Sequence, residues 1–155
     1  MIKVLLFDFA RVLLFPKDEN YSGKLNDLYK TVKDEKHFNF EDVFYFNEEL
    51  LDYLRTVKDK YKLVMFTSET IQDDLAVVEK LDGIFENIFS AKEMGFAKTD
   101  PEAYRFIVSN LQCNPNEILF IDDNVENVNS AKITGMKTYL FTDNVCLIKT
   151  IDTSL

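Results

Sequence analysis

The 155-residue sequence has no tryptophan, one histidine, two cysteines, three prolines and four glycines. Each shortage closes off a class of protein. Cys113 and Cys146 have no CxxC spacing, which argues against a disulfide framework or a cysteine zinc site. They read as reduced thiols of a cytoplasmic protein. The single histidine, His37, lies in the charged turn KDEKH and leaves no histidine placed for Ser-His-Asp hydrolysis. No apolar run approaches the roughly 20 residues of a membrane span. The opening MIKVLLFDFA is too short for a secretory leader and is interrupted by Asp8. Positive charge is scarce too: 18 Lys and Arg stand against 27 Asp and Glu, a formal net charge of −9. Such a field repels nucleic acid and anionic membranes, so neither is expected as a partner. It does not oppose a small anionic substrate held by a few local cations.

What the sequence does contain is a globular core, with 46% hydrophobic and 14% aromatic residues. The length suits one domain, residues 1–155. IKVLLFDF (2–9), YKLVMFTSE (61–69) and EILFIDDN (117–124) are near-continuous apolar runs, as expected of strands buried on both faces; KTYLFTD (137–143) is a fourth strand, and NIFSA (87–91) a weaker, shorter one. Helical patterns separate them at 47–59, 71–81, 100–111 and 124–134. Asp100 is a natural N-cap ahead of Pro101, and Gly135 a natural stop. The alternation predicts an α/β fold, a three-layer Rossmann-like parallel sheet with helices on both faces. Residues 16–46 break it. They are too many for an ordinary connection and contain a helical stretch, 25–33, and the aromatic piece FNFEDVFYF. They read as a small cap-like insertion over the strand ends. Its aromatics, Tyr21, Tyr29, Phe38 and Phe44, are candidates either to line a site or to join the core.

Open α/β sheets bind ligands beyond the carboxyl ends of their strands. There the chain places Asp8, Thr67 with Ser68, and Asp122 with Asp123, while Lys98 precedes a helix in MGFAKTDPE. A lone Asp at a strand end is most often a cap or turn residue, so the weight lies in the combination. Two carboxylates about 4 Å apart repel by about 4 kcal/mol at an effective dielectric near 20. Such an all-oxygen cluster suits Mg²⁺. Carboxylate, divalent cation, hydroxyl and ammonium are the parts of phosphoryl transfer.

With these residues in order, the chain resembles the haloacid dehalogenase (HAD) superfamily. LLFDFARVL is similar to that family's first motif, LVMFTSE to the second, KTDPEAY to the third and LFIDDNVENVNSAKITGMKTYLF to the fourth. The resemblance implies a sheet of order 5-4-1-2-3 and a Mg²⁺-dependent phosphatase with an aspartyl-phosphate intermediate. Asp8 is then the nucleophile, and Thr67, Ser68 and Lys98 bind the phosphoryl group of a small phosphorylated metabolite. The metal is held by Asp8, the Ala10 carbonyl and Asp123, with Asp122 and Asn127 in support.

One departure stands out. The family usually has a second Asp, the general acid, where this chain has Ala10, and resemblance places the chain nearer members with an FDFGGVL-like first motif. Arg11 stands where Gly is usual; it is a candidate to reach a substrate phosphate, but reads first as a solvated surface residue. A receiver domain has its acid pair on the first strand, the reverse of the order here, and a true dehalogenase has no use for Asp122–Asp123. Two readings remain: a phosphatase without its usual acid, and a phosphate-binding regulatory protein that keeps the site.

Overall fold

The computed structural model describes residues 1–154. In chain order the elements are β1 (Val4–Phe7), β2 (Leu14–Pro16), α1 (Leu25–Val32), α2 (Phe40–Val43), β3 (Phe44–Phe46), α3 (Glu48–Val57), β4 (Lys62–Thr67), α4 (Leu75–Leu81), β5 (Asn87–Ser90), α5 (Ala91–Met94), α6 (Pro101–Leu111), β6 (Ile118–Asp122), α7 (Val125–Ile133), β7 (Lys137–Leu140) and α8 (Asn144–Ser154). Five strands form a parallel sheet of order β5-β4-β1-β6-β7. Numbered among themselves and read from the β7 edge, they run 5-4-1-2-3, as the resemblance implies.

β1 is central because every residue of it is apolar and buried, with Leu5, Leu6 and Phe7 fully so. Each such side chain contributes about 1.5–3 kcal/mol of transfer free energy. Alternation along the strands splits the core in two. Leu5, Phe7, Met65 and Ile121 face α3, α4 and α8, whereas Leu6, Val64, Phe66 and Phe120 face α6 and α7. Among the described residues no helix is long and apolar enough to cross a membrane.

Three features depart from the sequence reading. The helix expected over 71–81 is a 3₁₀ turn, Ile71–Asp73, followed by α4. Asp74 takes an extended conformation between them, caps Ala76 N and accepts the Tyr29 hydroxyl at 2.8 Å. An insertion contact thus overrides local propensity. α8 was not expected at all; it is held by fully buried Leu147 and Ile151. Nor was the antiparallel pair β2–β3.

The pair β2–β3 brackets the insertion and anchors it through Phe40, whose ring lies 4.9 Å from Phe44 and 5.8 Å from Phe46. Tyr29 meets Phe38 and Phe40 edge-on. Tyr21, Tyr29, Phe38 and Phe44 all belong to or pack against the core.

Candidate active site

Strand register brings the acids together. Phe7 is level with Met65 on β4 and Ile121 on β6, so the next residue, Asp8, stands beside Asp122. The Asp8 amide continues the ladder by donating to Ile121 O at 2.8 Å. Asp8 Oδ1 accepts from Phe9 N at 2.8 Å and from Lys98 Nζ at 2.6 Å. Lys98 Nζ is also 2.9 Å from Asp122 Oδ2. Asp122 is fully buried, and its carboxylate accepts from Asn124 N at 2.8 Å and Asn127 Nδ2 at 3.1 Å. Asp8, Asp122 and exposed Asp123 each offer an oxygen within 4.8 Å of the others.

These contacts set the protonation balance. Burial pushes the Asp8 carboxyl well up; Lys98 opposes this, while Asp122 and Asp123 add to it. Burial by itself lowers the Lys98 ammonium, but the Asp8 and Asp122 carboxylates outweigh it and the net shift is upward. Asp123 is raised by burial and then by Asp122. Lys98 is the one cation in ion-pair contact with these acids among the described residues; Asp123 pairs with none, and Arg11 acts on it only through its field. That deficit, with only oxygen donors facing it, fits a hard divalent cation.

Lys98 is held by residues the sequence reading did not single out. Its carbonyl accepts the hydroxyl of buried Tyr104 at 2.7 Å. Its ammonium lies 5.1 Å from the Phe66 ring and 5.7 Å from Phe120, contacts that favour the charged form. Ser130 Oγ donates to Thr99 O at 2.7 Å, joining α7 to the same loop. Tyr104 lies within KTDPEAY, and its place on the inner face of α6 was the available signal.

Thr67 ends β4, 2% exposed and in register with Ser90, one step beyond the level of Asp8. Ser68 is exposed and shares a cavity of about 660 Å³ with Lys98, Lys24, Lys92 and Asn127. Ala10 is half-buried in a one-residue bridge to Leu14. His37 is exposed and takes no part. Arg11 corrects the sequence reading. It is half-buried, adopts φ +62°, and its guanidinium donates to Tyr21 O at 2.9 Å and Gly23 O at 2.8 Å. The residue that replaces the usual glycine keeps a glycine-like backbone and clamps the insertion.

The family model described as haloacid dehalogenase-like hydrolase matches residues 9–141. The chain belongs to this family. Among similar curated proteins, pyrophosphatase PpaX of Bacillus velezensis is 29% identical over 133 residues, 79% of this chain and 60% of that protein. The chain therefore spans about three fifths of that relative's length. A HAD family enzyme of Bacteroides thetaiotaomicron, an aspartate-to-alanine variant in complex with magnesium and inorganic phosphate, superposes with a TM-score of 0.71 at 20% identity, covering 95% of this chain and 99% of the other. A hydrolase from Streptococcus pneumoniae superposes at 0.69 and 16% identity, covering 97% and 98%. At these identities the likeness is one of fold.

Proposed function

We propose that this haloacid dehalogenase-like hydrolase is a cytoplasmic, Mg²⁺-dependent phosphatase. In this reading it acts on a small phosphorylated metabolite through an aspartyl-phosphate on Asp8, with residues 16–46 as a reduced cap on a single core domain, 1–155. The observation that carries the reading is the buried Asp8–Lys98–Asp122 contact set with Asp123 beside it. Magnesium and phosphate in the B. thetaiotaomicron enzyme, and the pyrophosphatase name of the B. velezensis relative, support it.

Asp8, Asp123 and the Ala10 carbonyl would hold the ion, with Asp122 behind them; once bound it offsets the charge shared by the phosphoryl oxygens and the attacking carboxylate. Lys98 and the Thr67 and Ser68 hydroxyls donate to the phosphoryl oxygens. An Asp8 oxygen gives its electron pair to phosphorus, and the bond from phosphorus to the leaving oxygen breaks. That oxygen departs with the pair. Ala10 offers it no proton, so the proton comes from water or is not needed. A water molecule then attacks phosphorus and gives up a proton to solvent. The phosphorus–Asp8 bond breaks, releasing inorganic phosphate and restoring the carboxylate.

A phosphate-release screen over phosphorylated metabolites, with and without Mg²⁺, tests the reading. Wild type should release phosphate only with Mg²⁺, Asp8→Asn should release none, and Asp123→Ala should lose Mg²⁺ binding by calorimetry. Equal rates for Asp8→Asn and wild type would require another nucleophile. Ala10 favours the second reading, a regulatory phosphate-binding protein. That outcome is recognised by beryllofluoride binding at Asp8 with no turnover of any substrate.

A further inference from the structure

Two cavities flank the carboxylate cluster, and their linings carry opposite charge. One of about 750 Å³ reaches Asp123 and is bordered by Glu48, Glu49 and Asp143, with Arg11 its single lining cation among the described residues. The other, of about 660 Å³, reaches Lys98 and Ser68 and is bordered by Lys24 and Lys92, with Glu69 and Glu126 as its acids. Glu69 is already engaged by Lys30. Lys24, Lys92 and Glu126 enter none of the ion pairs among the described residues. Two lysines without an ion-pair partner thus stand against one such glutamate in the lining of this cavity, in a chain whose net charge is −9.

Both lysines are positioned by backbone ties to the site. Lys92 N donates to the carbonyl of Ser68 at 3.1 Å. Lys24 ends a loop fixed at three points: Arg11 donates to Tyr21 O and Gly23 O, and the Tyr21 hydroxyl donates to Lys24 O at 2.9 Å. The turn is tight enough that a Cβ on Gly23 would lie 2.5 Å from the Tyr21 hydroxyl oxygen. A left-handed arginine and a glycine against which the end of the Tyr21 side chain packs together hold the loop that presents Lys24.

We propose that Lys24 and Lys92 form a second anion subsite beside the phosphoryl position, so that the substrate is a phosphoryl compound whose leaving group carries an anion of its own, a carboxylate or a second phosphate. This rests on the phosphatase reading above. The acid-lined cavity repels such a tail and the lysine-lined one receives it, which fixes the direction in which the leaving group points. A second phosphate also answers the absence of an acid at Ala10, because phosphate is a stable leaving anion and departs without a proton.

The test compares wild type, Lys24→Ala, Lys92→Ala and Lys92→Arg with Mg²⁺ on inorganic pyrophosphate, 2-phosphoglycolate and p-nitrophenyl phosphate. Each alanine change should lower the ratio of kcat/KM for a tailed substrate to that for p-nitrophenyl phosphate about tenfold, through KM. Lys92→Arg should hold the ratio within about twofold, and added salt should reduce it in wild type. A preference for pyrophosphate identifies a phosphate tail and a preference for 2-phosphoglycolate a carboxylate. Calorimetry gives a readout without turnover. Wild type should bind 2-phosphoglycolate about tenfold tighter than inorganic phosphate, and the double alanine variant should lose that margin. If nothing turns over but the margin persists, the subsite stands and the phosphatase reading falls. If p-nitrophenyl phosphate is hydrolysed and neither the ratio nor the margin responds to the alanine changes, the subsite is overturned.

Discussion

The two sides of the carboxylate cluster are built differently. On the Lys98 side Asp8, Lys98 and Asp122 are buried and paired with one another, and Lys24 and Lys92 at its rim are without ion-pair partners among the described residues. On the Asp123 side the polar groups mostly join one part of the chain to another. Asn47 and Asn144 exchange two amide hydrogen bonds of 2.8 Å, and Asn144 also donates to Glu49. Asn47 further donates to Val12 O and Leu13 O, at 2.9 Å each. One side is, on the proposed reading, the one that takes an anion; the other is a seam that ties β2 and the turn before it to α3 and α8, with Asp123 at its margin. The difference shows that an overall charge of −9 does not decide what the site accepts. The local placement of a few amines does, because screening confines surface fields to about 10 Å.

The largest expected effect comes from removing the ammonium that separates the two sides. Lys98→Met leaves Asp8 and Asp122 buried without a cation. Breaking a buried pair in this way costs about 3–5 kcal/mol, a fall in Tm of roughly 6–20 °C for a domain of this size. Phosphatase activity should vanish with it. Mg²⁺ should restore part of the stability, since any ligand that binds only the folded state stabilises it, by about 2.7 kcal/mol at a hundred times its Kd. An unaltered melting temperature would show that burial of the two carboxylates does not depend on Lys98.

Next in size is Ala10→Asp, which supplies the missing acid. General acid catalysis is worth about 10²–10⁴-fold. Alkyl phosphates should gain by something approaching that, whereas p-nitrophenyl phosphate, whose leaving group needs little protonation, should gain much less. Ala10 is only half-buried, so the longer side chain has a path out of the core. Rapid hydrolysis of an alkyl phosphate by wild type would mean that another group already donates the proton, and the contrast between leaving groups would then disappear.

Much of the fold was legible because its three central strands are buried apolar runs bounded by polar ends, and the placement of Asp8 beside Asp122 follows once β1 and β6 are neighbours. That the acids and Lys98 would come together was legible for the same reason: each lies at or just beyond a strand end or in the loop ahead of α6. What was not legible depends on distant contacts. Asp74 breaks the expected helix because Tyr29, 45 residues earlier, donates to it. The apolar residues of α8 are not confined to one face, since Val145 is exposed, and only Leu147 and Ile151 are fully buried in the core. Tyr104 supports Lys98 through a backbone carbonyl, which no spacing rule reports. Arg11 was read as a solvated side chain because its two partners are carbonyls in a loop of irregular sequence.

The smallest expected effect tests whether that clamp matters to the lysine side. Arg11→Gly acts on stability in two opposing ways. Glycine removes the strain of a left-handed backbone, about 1–2 kcal/mol, and its own flexibility in the unfolded chain costs part of that back. The lost hydrogen bonds to Tyr21 O and Gly23 O cost about 0.5–1.5 kcal/mol each. These terms nearly cancel, so Tm should move by no more than a few degrees. The loop from Tyr21 to Lys24 should nevertheless loosen, seen as faster amide exchange there and not in β1 or β6. Lys24 would then be presented less often, and the preference for tailed over tailless phosphates should fall by about threefold, less than in Lys24→Ala because the charge itself remains. Arg11→Lys should rescue it only in part: one guanidinium nitrogen, Nη2, makes both bonds and an ammonium also offers several donors, but on a shorter side chain. Faster loop exchange with an unchanged substrate preference would separate the clamp from Lys24 and confine Arg11 to holding the insertion in place.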